Sequence, residues 1–269
     1  MSDILDDWLA EDLGDGDVTS QTVVKNSICE AEITGGPAVI SGLDICKELF
    51  SRAHIEQTTA FSNGDRIESR TSIFSLKGKS HDILKVERLV LNLLCHLSGI
   101  ATFTSEVVKK AKSVNPNVEI LATRKTTPGM REIEKEAVVH GGGMTHRIRL
   151  DDAILIKDNH LRLCKDIGLA IKNSRNAHPN LMIEVEADTL EQALEAAQSG
   201  ADRVMLDNFS PASTEETVVS LRKISDIEIE SSGGITLENV NQYAPFVDFI
   251  SLGSLTMAAP PVDFSLHVN

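Results

Sequence analysis

An α/β protein is predicted, with a barrel-like second half preceded by a smaller α+β domain. Two observations carry this. Short apolar, β-branched runs recur at 118–122, 153–156, 181–185, 203–206, 227–229 and 247–252, with segments of helical spacing between them. Polar, charged or glycine residues follow at the end of each run. Strands this short, alternating with helices, predict parallel βαβ units joined by right-handed crossovers. Six such units favour a barrel, closed or incomplete, over an open doubly wound sheet. The GxGxxG fingerprint of the dinucleotide-binding form of that sheet follows no early strand.

The first hundred residues are patterned differently. Residues 27–42 alternate like a strand around a turn at Gly35, Gly36 and Pro37, and Asn63, Gly64 and Asp65 mark a second turn before strand-like sequence at 71–76. Residues 86–100 read as a long helix with apolar Leu89, Leu93, Leu94 and Leu97, carrying the chain into the barrel. Within the second half, 189–199 has Leu190, Ala193, Leu194 and Ala197 at helical spacing, and 213–224 reads as another helix. Beyond the βα units the sequence shows no internal repeat, no linker and no low-complexity tract.

Composition narrows the functional classes. The 269 residues suffice for one large domain or two modest ones with real cores. No apolar run approaches the ~20 residues of a membrane span. The acidic stretch from Met1 to Asp7 lacks the basic start and apolar core of a signal peptide, so a cytoplasmic protein with no membrane partner is expected. Cys29, Cys46, Cys95 and Cys164 form no CxxC pair, which argues against zinc and against a disulfide framework. A net charge of −14 argues against nucleic acid as a partner.

One window departs from that charge. Arg124, Lys125, Arg131, Lys135, Arg147, Arg149 and Lys157 fall within 124–157, with His140 and His146 among them. A local cationic cluster on an acidic protein suits a small anionic ligand. A solvated helix face balanced by Glu132, Glu134 and Glu136 accounts for Lys135, but not for Arg124, Lys125 and Lys157, which adjoin apolar runs.

In a barrel, the C-terminal ends of the strands converge on the mouth where active sites are built. The first run leads to Thr123, Arg124, Lys125 and Thr126; the second to Lys157, Asp158, Asn159 and His160. Later ends carry Glu184 and Glu186, then Asp207 and Asn208, then Ser231, Ser232, Gly233 and Gly234, and last Gly253 and Ser254. Arg124 and Arg147 offer planar forks for carboxylates, and Lys125 and Lys157 offer point charges. Glu186 and Asp207 suit Mg²⁺ or ribose hydroxyls. The Ser232-Gly233-Gly234 and Gly253-Ser254 turns can present backbone N–H groups to a phosphate, although a plain turn explains Gly233 and Gly234 equally well. Together these describe a site for a multiply anionic small molecule and a phosphorylated sugar.

The same residues carry a family likeness. Thr123, Arg124, Lys125, Thr126, Thr127, Pro128, Gly129, Met130 and Arg131, then Glu134, Lys135 and Gly141 to Gly143, resemble the signature of the quinolinate phosphoribosyltransferases, the carboxylating nicotinate-nucleotide pyrophosphorylases. So do His146-Arg147, the stretch from Leu155 to His160, Glu87-Arg88, Leu91-Asn92, Leu97 to Thr102, Glu11-Asp12 and Gly16 to Thr19. Glu184 to Glu186, Leu206 to Asn208, Ser232 to Gly234 and Ser251 to Gly253 continue the likeness in order to the end of the chain.

The resemblance implies an N-terminal open-faced sandwich over 1–102, rejoined by a tail at 261–269, and an incomplete α/β barrel over 103–260. It implies an enzyme of NAD biosynthesis that takes quinolinate and phosphoribosyl pyrophosphate to nicotinate mononucleotide, carbon dioxide and pyrophosphate. Arg124, Lys125, His146, Arg147 and Lys157 match quinolinate-pocket positions, with Lys125 also near the pyrophosphate. Glu186 and Asp207 match the pair that handles ribose and Mg²⁺-pyrophosphate. Ser232, Gly233 and Gly253 match loops around the 5′-phosphate, and Arg131 lies in the signature. Arg88 matches an arginine that reaches a neighbouring subunit's site, which implies a homodimer or larger. Three positions depart from the pattern: Thr145 for the usual Asn, Arg149 for Gly, and Met257 for a histidine near the pyrophosphate.

Other readings compete. Lys157 beside Ile154, Leu155 and Ile156 could form a Schiff base, but the surrounding cations serve no such chemistry. A relative acting on nicotinate or linked to molybdenum transport would diverge around Glu134-Lys135 and 157–160, which are intact. A regulator on a decayed scaffold would lose strand-end charges, and only the histidine replaced by Met257 is missing. His160 reads as a capping or orienting residue, His140 and Gly141 to Gly143 as a helix end and turn, and His96 as a packing or interface residue. Asp151-Asp152 precedes its strand and so faces the wrong end of the barrel.

Overall fold

The computed structural model describes residues 2–269; Met1, where the expected first domain begins, lies outside the described residues. In chain order the first elements are α1 (Ser2–Leu13), α2 (Val18–Val23), β1 (Ile28–Gly35), β2 (Ala38–Val39) and α3 (Leu43–Arg52). Next come β3 (Glu56–Thr58), β4 (Arg66–Ile67), β5 (Thr71–Lys79), α4 (Ser80–Lys112), β6 (Glu119–Ala122) and α5 (Arg131–His140). Then follow β7 (Met144–Thr145), β8 (Ile154–Ile156), α6 (Asp158–Cys164), α7 (Ile167–Ala177), β9 (Ile183–Ala187), α8 (Leu190–Gln198) and β10 (Arg203–Asp207). The chain ends with α9 (Pro211–Leu221), β11 (Glu228–Ser232), α10 (Val240–Tyr243), β12 (Phe249–Leu252), α11 (Ser254–Met257) and β13 (Phe264–Val268).

These elements form two compact units. The first comprises the residues up to Ser105 together with Thr127–Gly142 and Ala258–Asn269; the second comprises Glu106–Thr126 and Gly143–Met257. In the first unit, β13, β1, β5 and β3 form an antiparallel sheet in that order, with Ile33 opposite Phe74 and Gly35 opposite Phe264. Helix α3 buries Leu43, Cys46, Leu49 and Phe50, the three-and-four spacing of a single apolar stripe. The Phe50 ring meets Phe74 edge-on at 5.3 Å between centroids, which ties that stripe to the sheet. Helix α4 is far longer than the expected 86–100, because Ile83 before that stretch and Val107 and Ala111 after it continue the buried stripe. None of the helices among the described residues is long and apolar enough to cross a membrane.

The second unit holds a parallel sheet ordered β7-β6-β12-β11-β10-β9-β8. Strands β7 and β8 stand at the two ends of the row and do not pair with each other, so the barrel is incomplete, as the family resemblance implied. All six expected strands are present within a few residues of their runs. The seventh, β7, is only Met144–Thr145, too short for periodicity to reveal. Helix α8 packs on β9 and β10, with Ala193, Ala196 and Ala197 buried. Thr189 caps it by accepting the Gln192 N–H, which sets the helix start at the residue the spacing suggested.

Candidate active site

Parallel strands buried on both faces normally read as unbroken apolar runs. Here they do not: Glu184 and Glu186 alternate in β9, Arg203, Met205 and Asp207 in β10, and Glu228, Glu230 and Ser232 in β11. A period of two puts each set on one face of its strand. Register aligns Glu186 with Met205 and Glu230, and Asp207 with Ser232. That face opens into a cavity of about 370 Å³ lined by Thr123, Arg124, Lys125, His146, Arg147, Leu155, Lys157, Glu186, Met205, Asp207, Glu230, Ser232 and Ser251. Eight of the residues singled out from the sequence thus meet in one place: Arg124, Lys125, His146, Arg147, Lys157, Glu186, Asp207 and Ser232.

The cavity crowds like charges. The Arg147 guanidinium is held below the usual arginine range by burial and then by the charge of Arg124. Arg147 also donates from Nη1 to the Ala153 carbonyl at 3.4 Å. Arg124 Nε is buried without a hydrogen-bond partner among the described residues. Lys157 Nζ pairs with Glu186 on the neighbouring strand. The Asp207 carboxyl is pushed up by burial and next by Glu186. Repulsion among the cations disfavours the free state, so an anion bound here gains on both counts.

The loops beyond the strands shape the rim. Gly233 has φ +82°, and a Cβ there would lie 2.4 Å from Asn208 Oδ1, so the turn after β11 requires glycine. The Asn208 N–H donates to the Ser232 carbonyl at 2.9 Å, joining the ends of β10 and β11. Ser251 Oγ donates to Ser232 Oγ at 3.0 Å. A Cβ on Gly253 would lie 2.7 Å from Lys125 Cδ, so glycine lets the lysine stem lie against the β12 end. Thr256 Oγ1 donates to the Lys125 carbonyl and fixes the same backbone.

Three buried residues escaped the sequence-based site: Glu230, which lines the cavity, Glu184 as a functional group, and Arg203. His146 Nε2 lies 2.8 Å from Glu184 Oε2 and 3.6 Å from Glu230 Oε2. Arg203 pairs with Glu228 at 2.7 Å, lies 3.5 Å from Glu230, and stacks over Phe249 at 3.9 Å. Charged residues two apart inside a strand of a parallel sheet were the available signal.

Other singled-out residues lie elsewhere. Arg88 is exposed on α4 and Arg131 begins α5, both in the first unit; Gly233 and Gly253 sit in the strand-end loops rather than in the cavity lining. Glu134 is fully buried, accepting the Thr127 N–H at 3.0 Å and bonding His96 Nε2 at 2.8 Å, so it braces the middle of the signature loop. Lys135 corrects the expectation of a solvated face: it is 1% exposed, on the buried side of α5 with Ile133 and Glu134. His160 Nδ1 accepts the Lys157 N–H and caps α6, as expected. Asp152 accepts the Ile148 and Arg149 N–H groups at 2.6 and 2.9 Å, a turn rather than a metal site. Met257 is exposed at the end of α11.

An incomplete parallel barrel whose strand ends gather two arginines, two lysines and two acids defines an enzyme of the phosphoribosyl-transfer type, built for small polyanions. Comparison with known proteins makes this specific. Residues 17–98 match the model for the quinolinate phosphoribosyl transferase N-terminal domain, and residues 100–267 match that for the C-terminal domain. The chain belongs to the quinolinate phosphoribosyl transferase family. It is 41% identical to the "Probable nicotinate-nucleotide pyrophosphorylase (carboxylating)" of Archaeoglobus fulgidus, over 94% of this chain and 98% of that one. It is 33% identical to the human nicotinate-nucleotide pyrophosphorylase (carboxylating), over 100% and 91% respectively. The solved nicotinate-nucleotide pyrophosphorylase of Francisella tularensis superposes with a TM-score of 0.94 at 35% identity, covering 99% of this chain and 95% of that one.

Proposed function

We infer that this chain is a carboxylating nicotinate-nucleotide pyrophosphorylase of NAD biosynthesis, joining quinolinate to the ribosyl carbon of phosphoribosyl pyrophosphate. The observation that carries this is the single cavity in which Arg124, Lys125, Arg147 and Lys157 face Glu186 and Asp207. The cations match a dicarboxylate acceptor and a polyphosphate donor. The acids match a ribose and a metal-bound diphosphate.

The pyridine nitrogen attacks C1′ with its own lone pair, and pyrophosphate leaves with the electrons of the broken C–O bond. No base need act on this nucleophile. Glu186 and Asp207 stabilise the positive charge that develops on the sugar. The alkylated ring nitrogen then accepts the electrons of the bond to the 2-carboxylate as carbon dioxide departs. Arg124 and Lys157 stabilise negative charge at that carbon until it takes a proton. Arg147 clamps a carboxylate, and Lys125 neutralises the diphosphate. Ser232, Gly233 and Gly253 receive the 5′-phosphate. Arg131 is assigned a supporting role with the anions.

Glu186 and Asp207 also fit Mg²⁺, since two acids that repel each other gain from a shared cation. Mg²⁺ bound there supplies charge neutralisation of the leaving diphosphate. Arg88, exposed and outside the cavity lining, is assigned to the site of a neighbouring subunit. The working form this implies is a cytoplasmic homodimer or larger. The test is a steady-state assay with phosphoribosyl pyrophosphate, Mg²⁺ and carboxyl-labelled quinolinate, with nicotinate in parallel. Labelled carbon dioxide in step with mononucleotide, from quinolinate only, is the expected result. Product from nicotinate alone would move the activity to a non-carboxylating relative.

A further inference from the structure

Asn208 follows Asp207 at the end of β10 with φ +58°, one of four non-glycine residues with positive φ among the described residues. That region is costly for side chains with a Cβ, and asparagine is among the few that enter it. The backbone here is held without help from the side chain. The Asn208 N–H donates to the Ser232 carbonyl at 2.9 Å, and the Phe209 carbonyl accepts the Tyr243 hydroxyl at 3.2 Å. Glycine would take the same φ with less strain, so the turn by itself gives no reason for an amide.

The amide has a different partner. Its Nδ2 donates to Asp207 Oδ2 at 2.6 Å. The flipped orientation would set two oxygens at that distance, so the NH₂ group faces the carboxylate. No other hydrogen bond to the Asp207 carboxylate is present among the described residues. The amide oxygen lies against Gly233, where a Cβ would come within 2.4 Å of Oδ1 and 2.7 Å of Cγ. One planar group therefore touches both the acid at the end of β10 and the glycine turn at the end of β11. Asp207 and Ser232 line the cavity and Asn208 does not, so any effect of Asn208 on a ligand passes through these neighbours.

We propose that Asn208 is a positioning residue for the phosphoribosyl donor: its amide fixes the plane of the Asp207 carboxylate and spaces it from the Ser232-Gly233 turn. A ribose 5-phosphate carries its hydroxyls and its phosphate at a span set by the sugar ring. Two groups that grip both ends gain from a rigid spacer between them. Without that donor the carboxylate turns about its last side-chain bond, and ordering it counts against binding.

This rests on the reading of the cavity as a phosphoribosyl pyrophosphate site, and the test separates the two. Donor binding is measured on the full chain by calorimetry with phosphoribosyl pyrophosphate and Mg²⁺, and both KM values by steady-state assay. Asn208→Gly keeps the backbone conformation and removes only the amide. Its donor Kd and KM should rise on the order of tenfold to a hundredfold, the scale for a binding group displaced by about 1 Å. The quinolinate KM and the thermal midpoint should change little. Asn208→Asp keeps the shape but sets one carboxylate against another, and should be at least as impaired as the Gly variant. In an Asp207→Ala background, Asn208→Gly should cost little more, because the group it orients is gone. An equal rise in both KM values, an Asp variant as good as the unmodified chain, or the full loss repeated in the Asp207→Ala background would overturn the proposal. If the unmodified chain binds no phosphoribosyl pyrophosphate, the reading of the cavity fails and the proposal with it. If it binds the donor and the Gly variant binds it equally well, the proposal alone fails.

Discussion

Lys157, just past the end of β8, forms an ion pair with Glu186 of the neighbouring strand β9 at the floor of the cavity. Glu186 is nearly buried in this pair while Lys157 stays part-exposed, so the acid depends on the lysine more than the reverse. In the proposed reaction the two residues face different groups, the sugar and the departing carboxylate. Lys157→Met should therefore lower kcat by more than the loss of one cation predicts, because it also leaves Glu186 buried and unpaired. Glu186→Gln should be costly alone, and the double variant should lose clearly less than the product of the single effects, with a coupling of about 0.5–3 kcal/mol. Steady-state kcat/KM on the four proteins measures it; simple multiplication of the two losses would mean that the pair acts as two independent groups.

Arg124 has a buried Nε without a partner among the described residues and a like-charged neighbour in Arg147. A bound carboxylate answers both. Arg124→Ala should cost about 10²–10³ in kcat/KM, the scale for removing one preorganised donor. Arg124→Lys should recover little, since an ammonium supplies charge without the planar fork. Near-normal turnover by the Ala variant would remove Arg124 from the mechanism.

Why some of this was legible and some not follows from the kind of signal. Lys157, Asp207 and Arg124 stand at the ends of apolar runs, where a change of polarity marks both the strand and the mouth of the barrel. Glu184 and Glu230 lie inside their strands, and reading β11 as the apolar stretch 227–229 stopped short of Glu230. Lys135 misled for a related reason: its acidic neighbours suggest a solvated face, whereas α5 buries Ile133, Glu134 and Lys135 together. Charge on a helix tells which face is wet only when a partner within the core is absent. Strand β7 has no periodic signal at two residues, and it exists because Met144 and Thr145 pair with Leu121 and Ala122.

Gly253 lies where a Cβ would come within 2.7 Å of Lys125 Cδ. The obstacle is a flexible side chain rather than backbone, so Gly253→Ala should shift the lysine instead of unfolding the loop. The expected outcome is a raised KM for phosphoribosyl pyrophosphate, with the quinolinate KM and the thermal midpoint changed much less. An equal rise in both KM values, or a large fall in the midpoint, would show that the glycine serves the backbone and not the lysine.

Glu230 gives the protein a stability that depends on pH in an unusual direction for a carboxylate. Burial and then the neighbouring Glu184 push its carboxyl from the ordinary 4.5 up to about 8, against the opposing pull of His146, Ser251 and Arg203. Between those values the folded chain keeps a proton that the unfolded chain has released. Stability then falls as pH rises, because the slope of the unfolding free energy follows protons bound unfolded minus protons bound folded. The contribution is fully present below about pH 4.5 and is lost as pH rises through about 8. Urea midpoints taken at pH 6, 7 and 8 should decline for the unmodified chain more steeply than for Glu230→Gln, which cannot ionise. Parallel declines in the two proteins would mean that Glu230 is already charged in the fold, and that some other group sets the slope.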